Sequence, residues 1–201
     1  MLIKVCGLTR LADVDVCIAL GVDAIGVNMW PRSSRYVEPA AARSIAAHVA
    51  GRARVVMIFV DAPTDEIARL RRETSIAWAQ LHGDESDDAV RASSPCAYKA
   101  VRLEGADTVG RARAIPGDEI LVDAYVPGVA GGSGARADWS LAARVAAERP
   151  TWLAGGLTPA NVREAIDAVG PIGVDVASGV ESAPGVKDPR KLEAFVRAAR
   201  G

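Results

Sequence analysis

The feature that most constrains the fold of this sequence is a regular alternation between short β-rich runs and amphipathic segments. Eight runs follow one another at intervals of roughly 25 residues in a chain of 201 residues. Strands that alternate with helices in this way form a parallel sheet, because each helix carries the chain back to the end of the sheet where the next strand starts. The runs are Leu2 to Val5, Ala24 to Asn28, Arg54 to Val60, Ala77 to Leu81, Ala97 to Val101, Ile120 to Asp123, Thr151 to Ala154 and Ile172 to Val176. The pattern predicts an α/β protein with a single domain over residues 1–201.

The position of the glycine-rich turns favours a closed barrel over an open doubly wound sheet. An open sheet of that kind normally carries its glycine-rich turn directly after the first strand. Here the turns at Gly155-Gly156 and Ser178-Gly179 follow the last two runs. In a (β/α)8 barrel the loops after strands seven and eight commonly bind phosphate through backbone N–H groups. The sequence therefore predicts a (β/α)8 TIM barrel that binds a phosphate-bearing ligand.

Signals for helix ends lie between the runs. Thr64, Thr158 and Asp188 are predicted to begin helices, the latter two because a proline follows each of them, and Gly21 is predicted to end the first helix. Two segments carry a clear helical period of apolar residues, which predicts faces that pack on the barrel wall. These faces are Val162, Ala165, Ile166 and Val169, and Leu192, Phe195, Val196 and Ala199.

Strand parity predicts which side chains point into the barrel. Lys4 and Cys6 share one face of the first strand, and Asp175 lies on the corresponding face of the eighth. Because those strands become neighbours when the barrel closes, and an unpaired buried charge costs several kcal/mol, Lys4 and Asp175 are predicted to pair. The same argument predicts further inward-facing residues, namely Gln80 with His82, Lys99 with Val101, and Leu121 with Asp123.

Cys6 and Asp123 are the candidate base and acid. Each ends its strand, at the edge where barrel active sites lie. A buried free cysteine is more often a core residue, and a lone aspartate at this place is often a loop cap. Their shared position at the mouth favours instead an acid and base pair, because a thiolate can accept a proton and a carboxylic acid can donate one.

Other residues at the same mouth are candidate ligand contacts. Arg35 follows strand two and could bind a carboxylate in a bidentate manner, whereas Arg32 is expected to be a solvated surface residue. Gly132 and Ser133 lie in a long loop after Asp123, which is predicted either to cover a ligand or to be a plain linker. His82 is a further candidate contact.

Composition excludes several classes of partner and cofactor. A net charge of -1 gives no basic excess for nucleic acid or an anionic membrane, and no apolar run reaches the ~18 residues of a membrane span. The amino terminus lacks the layout of a signal peptide, so a soluble, cytoplasmic protein is expected. Three widely spaced cysteines fit reduced thiols, and two separated histidines predict no metal site.

Seven motifs, in order along essentially the whole chain, resemble the phosphoribosylanthranilate isomerase family of tryptophan biosynthesis. They are Lys4 to Thr9, Pro31 to Val37, Gln80 to Gly83, Leu121 to Asp123, Gly131 to Gly134, Ala154 to Val162 and Asp175 to Glu181. The run Val27-Asn28-Met29 and Ala177 differ from the family pattern, which has a phenylalanine-rich run and a serine at these places.

The resemblance implies an Amadori rearrangement without a cofactor, on a small phosphosugar substrate and in a monomer or homodimer. It implies that Asp123 is the general acid that opens the ring and Cys6 the general base that removes the C2 proton. It further implies that Arg35 holds the anthranilate carboxylate and that the two glycine-containing turns bind the phosphate. The alternatives are the histidine-pathway aminoaldose isomerase, whose family has aspartate where this chain has Cys6, and a non-catalytic phosphometabolite-binding barrel.

Overall fold

The computed structural model describes residues 1–103, 105–124 and 139–201. Within these ranges, eight parallel strands close into a barrel in which each strand pairs with the next along the chain and β8 pairs with β1. This arrangement confirms the predicted (β/α)8 barrel. The strands are β1 (Leu2–Val5), β2 (Ala24–Asn28), β3 (Arg54–Phe59), β4 (Trp78–Leu81), β5 (Ala97–Arg102), β6 (Ile120–Asp123), β7 (Thr151–Ala154) and β8 (Gly173–Val176).

Helices form the outer layer, and a small hairpin follows β8. None of the helices in the described ranges combines the length and the apolar composition that a bilayer-spanning segment needs. The helices are α1 (Leu11–Ala19), α2 (Pro39–Val49), α3 (Thr64–Thr74), α4 (Asp87–Ser93), α5 (Ala106–Ala114), α6 (Ser140–Ala146), α7 (Val162–Val169) and α8 (Pro189–Arg200). After β8 come a 3-10 turn (Ser178–Val180) and two short antiparallel strands, β9 (Glu181–Ala183) and β10 (Val186–Lys187).

Three of the four predicted helix ends are confirmed. α3 begins at Thr64. α8 begins directly after Asp188, whose side chain accepts hydrogen bonds from the first two exposed N–H groups of the helix. Gly21 follows α1 with a φ of 67°, the left-handed conformation that ends many helices. The two predicted apolar helix faces, on α7 and α8, are buried as expected.

The predicted start of α7 at Thr158 is wrong by several residues. A turn occupies residues 159–161, and α7 begins at Val162. The carboxamide Oδ1 of Asn161 accepts a hydrogen bond from the backbone N–H of Thr158 at 2.7 Å. This side chain stabilises the turn, so the proline after Thr158 starts a turn rather than a helix.

The interior of the barrel is packed at its amino end and open at its carboxyl end. Tyr98, Leu121 and Trp152 form an inner apolar cluster that is separate from the layer between sheet and helices. Gly173 makes room for this cluster, because a Cβ there would lie 2.5 Å from the indole ring of Trp152. The indole N–H donates to Glu119 at 3.1 Å, which satisfies it at the closed end.

The prediction that Lys99 and Val101 face inward is wrong. Gln80 of β4 is in register with Tyr98, and the tyrosine hydroxyl donates to the Gln80 carbonyl oxygen inside the barrel at 3.1 Å. Lys99 therefore lies on the opposite face of β5, where its ammonium contacts the carboxylate of Glu85 at 3.0 Å. A charged side chain does not have to point into a barrel when a carboxylate and backbone carbonyls surround it outside.

The predicted pair of Lys4 and Asp175 is confirmed. The ammonium of Lys4 is fully buried and lies 2.8 Å from the Oδ2 atom of Asp175. Burial is the largest single influence and would lower the pKa of Lys4, but Asp175, Cys6 and Tyr98 together, with Asp175 first among them, raise that pKa above its usual value. The stability that this group contributes is fully present below its unfolded pKa near ~10.4 and is lost only as pH rises towards the higher folded value.

We expect Lys4→Met to lower the free energy of unfolding by about 3–5 kcal/mol at pH 7, because it leaves a buried carboxylate without its cation. The double variant Lys4→Met with Asp175→Leu should lose less, since it removes both charges. Urea unfolding of the two variants measures the difference. As a control, Arg163→Met removes an exposed ion pair on α7 and should leave the urea midpoint nearly unchanged. A double variant less stable than the single one would contradict the expectation.

Candidate active site

A cavity of about 240 Å³ at the carboxyl end of the barrel brings together most of the predicted site residues. Its walls come from β1, β4, β6, β7 and β8 and from the turns that follow the last two strands. A group of residues far apart in sequence thus faces one common space. The predicted residues that line it are Cys6, His82, Asp123, Gly155, Gly156, Ser178 and Gly179.

Cys6 lies in the cavity wall because its neighbour on β2 has no side chain. A Cβ at Gly26 would approach the Cys6 sulfur to 2.8 Å, so the glycine gives the thiol its space. Burial raises the pKa of Cys6, and the positive charges of Lys4 and Lys187 oppose that rise without cancelling it. The free protein therefore holds this group mainly as a thiol at neutral pH.

His82 is held in one tautomer and lies beside Asp123. The side-chain amide nitrogen of Gln80 can only donate, and it lies 2.7 Å from Nδ1 of His82. This contact assigns the proton of the neutral ring to Nε2, which lies 3.9 Å from the Oδ2 atom of Asp123. Burial lowers the pKa of His82 despite the nearby aspartate, so the ring is neutral at pH 7. His82 thus presents an N–H group to the side of the cavity where the candidate acid lies.

The two turns after β7 and β8 approach each other very closely. A Cβ at Gly179 would lie 1.9 Å from the backbone carbonyl oxygen of Leu157, so only glycine fits there. Gly155 and Gly156 have φ values of 100° and 64°, which other residues rarely adopt. Within the described ranges the N–H of Gly156 has no hydrogen-bond acceptor. These features leave backbone donors available to an anion.

Asp175 has one carboxylate oxygen without a partner. Its Oδ2 binds Lys4, whereas its Oδ1 is buried and has no hydrogen-bond partner among the described residues. Asp175 also lines the cavity. A donor on a bound ligand, such as a sugar hydroxyl, would satisfy this oxygen.

Arg35 lies next to the site and is already bound to a carboxylate. Its Nε and Nη2 donate to the two carboxylate oxygens of Glu181 at 2.8 and 2.6 Å. The arginine side chain packs against Gly7, where a Cβ would lie 2.5 Å from the Arg35 Cδ atom. Arg35 is therefore beside the residue that follows Cys6 rather than in the wall of the small cavity.

Sequence reasoning missed two residues of this region. Glu181 belongs to one of the seven motifs but carries no predicted role, and no sequence pattern singles out Lys187. Lys187 is buried and donates to the backbone carbonyl oxygens of Cys6 and Ala177 at 2.7 and 3.1 Å. A charged residue just before the helix cap at Asp188 is ordinarily solvated, so no local pattern distinguishes it.

A second cavity, of about 500 Å³, adjoins the first and has His82 in its wall as well. It lies between the loops after β3, β4 and β5, with Asp61 and Arg102 among its lining residues. The candidate base Cys6 and the candidate acid Asp123 line the smaller cavity and not this one. Within the described ranges, no cluster of three His, Cys, Asp or Glu side chains could hold a metal ion. The candidate contacts Gly132 and Ser133 lie outside the described residues.

Comparison with known proteins gives consistent matches. Residues 3–198 match the model of the family described as N-(5'phosphoribosyl)anthranilate (PRA) isomerase. A protein named N-(5'-phosphoribosyl)anthranilate isomerase from Myxococcus xanthus is 44% identical, over 98% of this chain and 95% of that protein. The crystal structure of phosphoribosyl anthranilate isomerase from Thermotoga maritima has a TM-score of 0.91 and 37% identity, covering 100% of this chain and 99% of that one.

A further crystal structure shows a relative of the same name with a ligand. It is phosphoribosyl anthranilate isomerase in complex with reduced 1-(o-carboxyphenylamino)-1-deoxyribulose 5-phosphate, with a TM-score of 0.88, 34% identity and full coverage of both chains. The family model, the relative and the two crystal structures all match nearly the whole of this sequence. The chain therefore belongs to the N-(5'-phosphoribosyl)anthranilate isomerase family.

Proposed function

We propose that this chain converts N-(5'-phosphoribosyl)anthranilate into 1-(2-carboxyphenylamino)-1-deoxyribulose 5-phosphate, with Asp123 as general acid and Cys6 as general base. The observation that supports these roles is that the two residues, from different walls of the barrel, line one cavity together with two glycine-containing turns. A ligand with a phosphate at one end and a sugar ring near the acid and base matches this arrangement. We further propose that residues 1–201 act as one domain in the cytoplasm, as a monomer or a homodimer.

In the first step Asp123 gives a proton to the ring oxygen of the ribose. The C1–O bond breaks, and the lone pair of the anthranilate nitrogen forms a positively charged Schiff base with C1. The Nε2–H group of His82 lies on the same side of the cavity, where it favours the carboxylate that Asp123 becomes after proton transfer.

In the second step Cys6 removes the proton from C2. The electron pair of the C–H bond neutralises the Schiff base and gives an enol-amine, which tautomerises to the ketone with a proton on C1. The thiolate that this step needs is disfavoured in the free protein by burial. The positive Schiff base adds a charge that favours the thiolate, so the base becomes effective after the ring has opened.

The remaining groups bind and orient the substrate. The turns at Gly155-Gly156 and Ser178-Gly179 supply backbone N–H donors for the phosphate, and Gly132 and Ser133 belong to the substrate-binding residues. The free oxygen of Asp175 accepts a hydrogen bond from a ribose hydroxyl. Glu181 uses one edge of the Arg35 guanidinium, which leaves Nη1 for the anthranilate carboxylate.

Replacing the acid or the base should abolish most of the turnover while leaving the substrate bound. We expect Asp123→Asn and Cys6→Ala each to lower kcat by about 10²- to 10⁴-fold, the usual contribution of a positioned acid or base. The decrease of anthranilate substrate fluorescence measures this. Full turnover by both variants would refute the assignment. The same assay with the histidine-pathway aminoaldose tests the rival activity, and binding without turnover by the unmodified protein would indicate a binding module.

The raised pKa of Cys6 predicts a pH profile for its alkylation. Because the thiolate is the reactive form, modification of Cys6 by iodoacetamide should keep accelerating above the ordinary thiol value of about 8.5. Mass spectrometry of the tryptic peptides separates Cys6 from the other thiols. Cys17, which is buried and whose pKa burial raises to about 12, is the slow internal reference. In the unfolded protein the three thiols should show the same dependence of alkylation rate on pH, that of an ordinary thiol. Half-maximal reaction of native Cys6 below pH 8.5 would contradict the prediction.

Gly179 offers a test of the phosphate site. Gly179→Ala would place a methyl group against the carbonyl of Leu157, so the two turns must separate and phosphate affinity should fall at least about 10-fold. The inhibition constant of inorganic phosphate measures this effect independently of catalysis. Gly110→Ala is the matched control, because a Cβ there meets nothing within 4 Å and the residue lies inside α5. Equal inhibition constants for both variants would count against a phosphate site at these turns.

A further inference from the structure

The hairpin of β9 and β10 buries two opposite charges beside the site. The side chains of Glu181 and Lys187 are 5% and 0% exposed, and their charged atoms lie 2.7 Å apart. Removing two charges from water is unfavourable, and only good geometry offsets that penalty. A hairpin with no other task would leave such residues in solvent. Their burial therefore requires further hydrogen-bond partners for both side chains.

Glu181 holds the Arg35 guanidinium in a fixed orientation. Two parallel hydrogen bonds, of 2.8 and 2.6 Å, join the Nε and Nη2 side of the arginine to the carboxylate. Burial opposes ionisation of Glu181, but the hydrogen bonds from Arg35 and Lys187 keep its pKa below the usual value. The carboxylate is therefore charged at neutral pH. In the described ranges Nη1 of Arg35 has no hydrogen-bond partner, so the outer edge of the guanidinium remains open.

Lys187 connects this ion pair to the backbone of the site. Its ammonium has three protons, and the three nearby acceptors are Glu181 Oε1 and the carbonyl oxygens of Cys6 and Ala177. One carbonyl belongs to the proposed base, and the other directly precedes the turn that contains Ser178 and Gly179. A single buried cation thus links β1, the turn after β8 and, through Glu181, the arginine.

The tip of the hairpin is attached to the loop after β1 as well. The Thr9 hydroxyl donates to the Gly185 carbonyl oxygen at 2.7 Å, and the Gly185 N–H donates to Glu181 at 3.3 Å. Gly185 has a φ of 79° and is buried, so this tight turn can lie against the loop. The carboxylate of Glu181 is consequently held from three directions.

We propose that Glu181 and Lys187 are positioning residues for the isomerase reaction. Glu181 aims the open edge of Arg35 at the substrate carboxylate, and Lys187 keeps that edge at a constant distance from Cys6 and from the phosphate turn. The proposal rests on the role of Arg35 proposed above. Its physical basis is that a rearrangement of a substrate held at both ends tolerates little displacement of either end; a shift of about 1 Å can cost about 10²-fold in rate.

The test compares two substrates that differ by one group, N-(5'-phosphoribosyl)anthranilate and N-(5'-phosphoribosyl)aniline, which lacks the carboxylate. With the anthranilate, Glu181→Gln should lower kcat/KM by about 10- to 100-fold, through both kcat and KM, whereas with the aniline it should have little effect. The double variant Arg35→Ala with Glu181→Gln should be no worse than Arg35→Ala alone, because Glu181 acts through the arginine. Equal losses on both substrates, or additive losses in the double variant, would overturn the proposal.

Further variants separate positioning from folding. Glu181→Asp keeps the charge and should recover part of the anthranilate KM, which a purely structural effect would not explain. Lys187→Met should lower kcat with both substrates, since it releases the Cys6 carbonyl. Glu119→Gln is the matched control: Glu119 also pairs with an arginine, Arg54 at 2.6 Å, but at the closed end of the barrel, so the ratio of the two substrates should not change.

The outcomes distinguish this proposal from the one on which it rests. If Arg35→Ala lowers kcat/KM equally with both substrates, the carboxylate role of Arg35 is refuted and the positioning role falls with it. If Arg35→Ala affects only the anthranilate but Glu181→Gln affects neither substrate, the arginine keeps its role and only the positioning proposal is refuted. A Glu181→Gln effect confined to the anthranilate supports both.

Discussion

Closure of the sheet between β8 and β1 is the constraint on which the rest of the structure depends. It joins Lys4 to Asp175, two residues 171 positions apart in the chain, across 2.8 Å in the barrel interior. The same closure places Cys6 beside the turn after β8, since the Cys6 N–H donates to the Val176 carbonyl oxygen at 2.8 Å. An open sheet would leave a buried ammonium without its carboxylate and would separate Cys6 from the turn after β8.

Glycines shape the cavity by the absence of side chains at particular points. Gly26 leaves room for the Cys6 thiol, and Gly173 leaves room for the Trp152 indole, which fills the closed end of the barrel. Gly179 allows the turn after β8 to approach the backbone of the turn after β7. The shape of the barrel interior and its cavity therefore depends on these glycines as well as on the candidate site residues. A Cβ at any of the three positions would overlap an existing atom.

Cys6 lies between two systems of buried charge. Its side chain faces the interior with the pair of Lys4 and Asp175, and its backbone carbonyl accepts a hydrogen bond from Lys187 in the hairpin. Both cations favour the thiolate, while burial, together with the negative charge of Asp175, favours the thiol more strongly. The proton affinity of Cys6 is thus set by a balance that an incoming positive charge can change, which is compatible with the proposed role of a base that acts after a cationic Schiff base has formed.

Much of the fold and part of the site could be predicted from local patterns. Three patterns predicted the barrel and its buried pair, namely the eight β-rich runs, the late glycine-containing turns and the parity of Lys4 and Asp175. They could do so because alternation and burial determine the spacing of apolar and polar residues along the chain. The failures are equally specific. The prediction for the inward face of β5 is wrong because Lys99 contacts the Glu85 carboxylate outside the barrel. The predicted start of α7 is wrong because Asn161 stabilises a turn before it.

The sequence by itself determined the order of elements, the identity of the acid and base candidates and the family, since these depend on which residues follow one another. Only the tertiary structure decided that Glu181 grips Arg35 and that Lys187 reaches the carbonyl of Cys6. Arg35 and Glu181 are 146 positions apart in the chain, and Cys6 and Lys187 are 181 positions apart. No periodicity or spacing encodes such distances, because they arise only when barrel closure brings the two ends of the chain together.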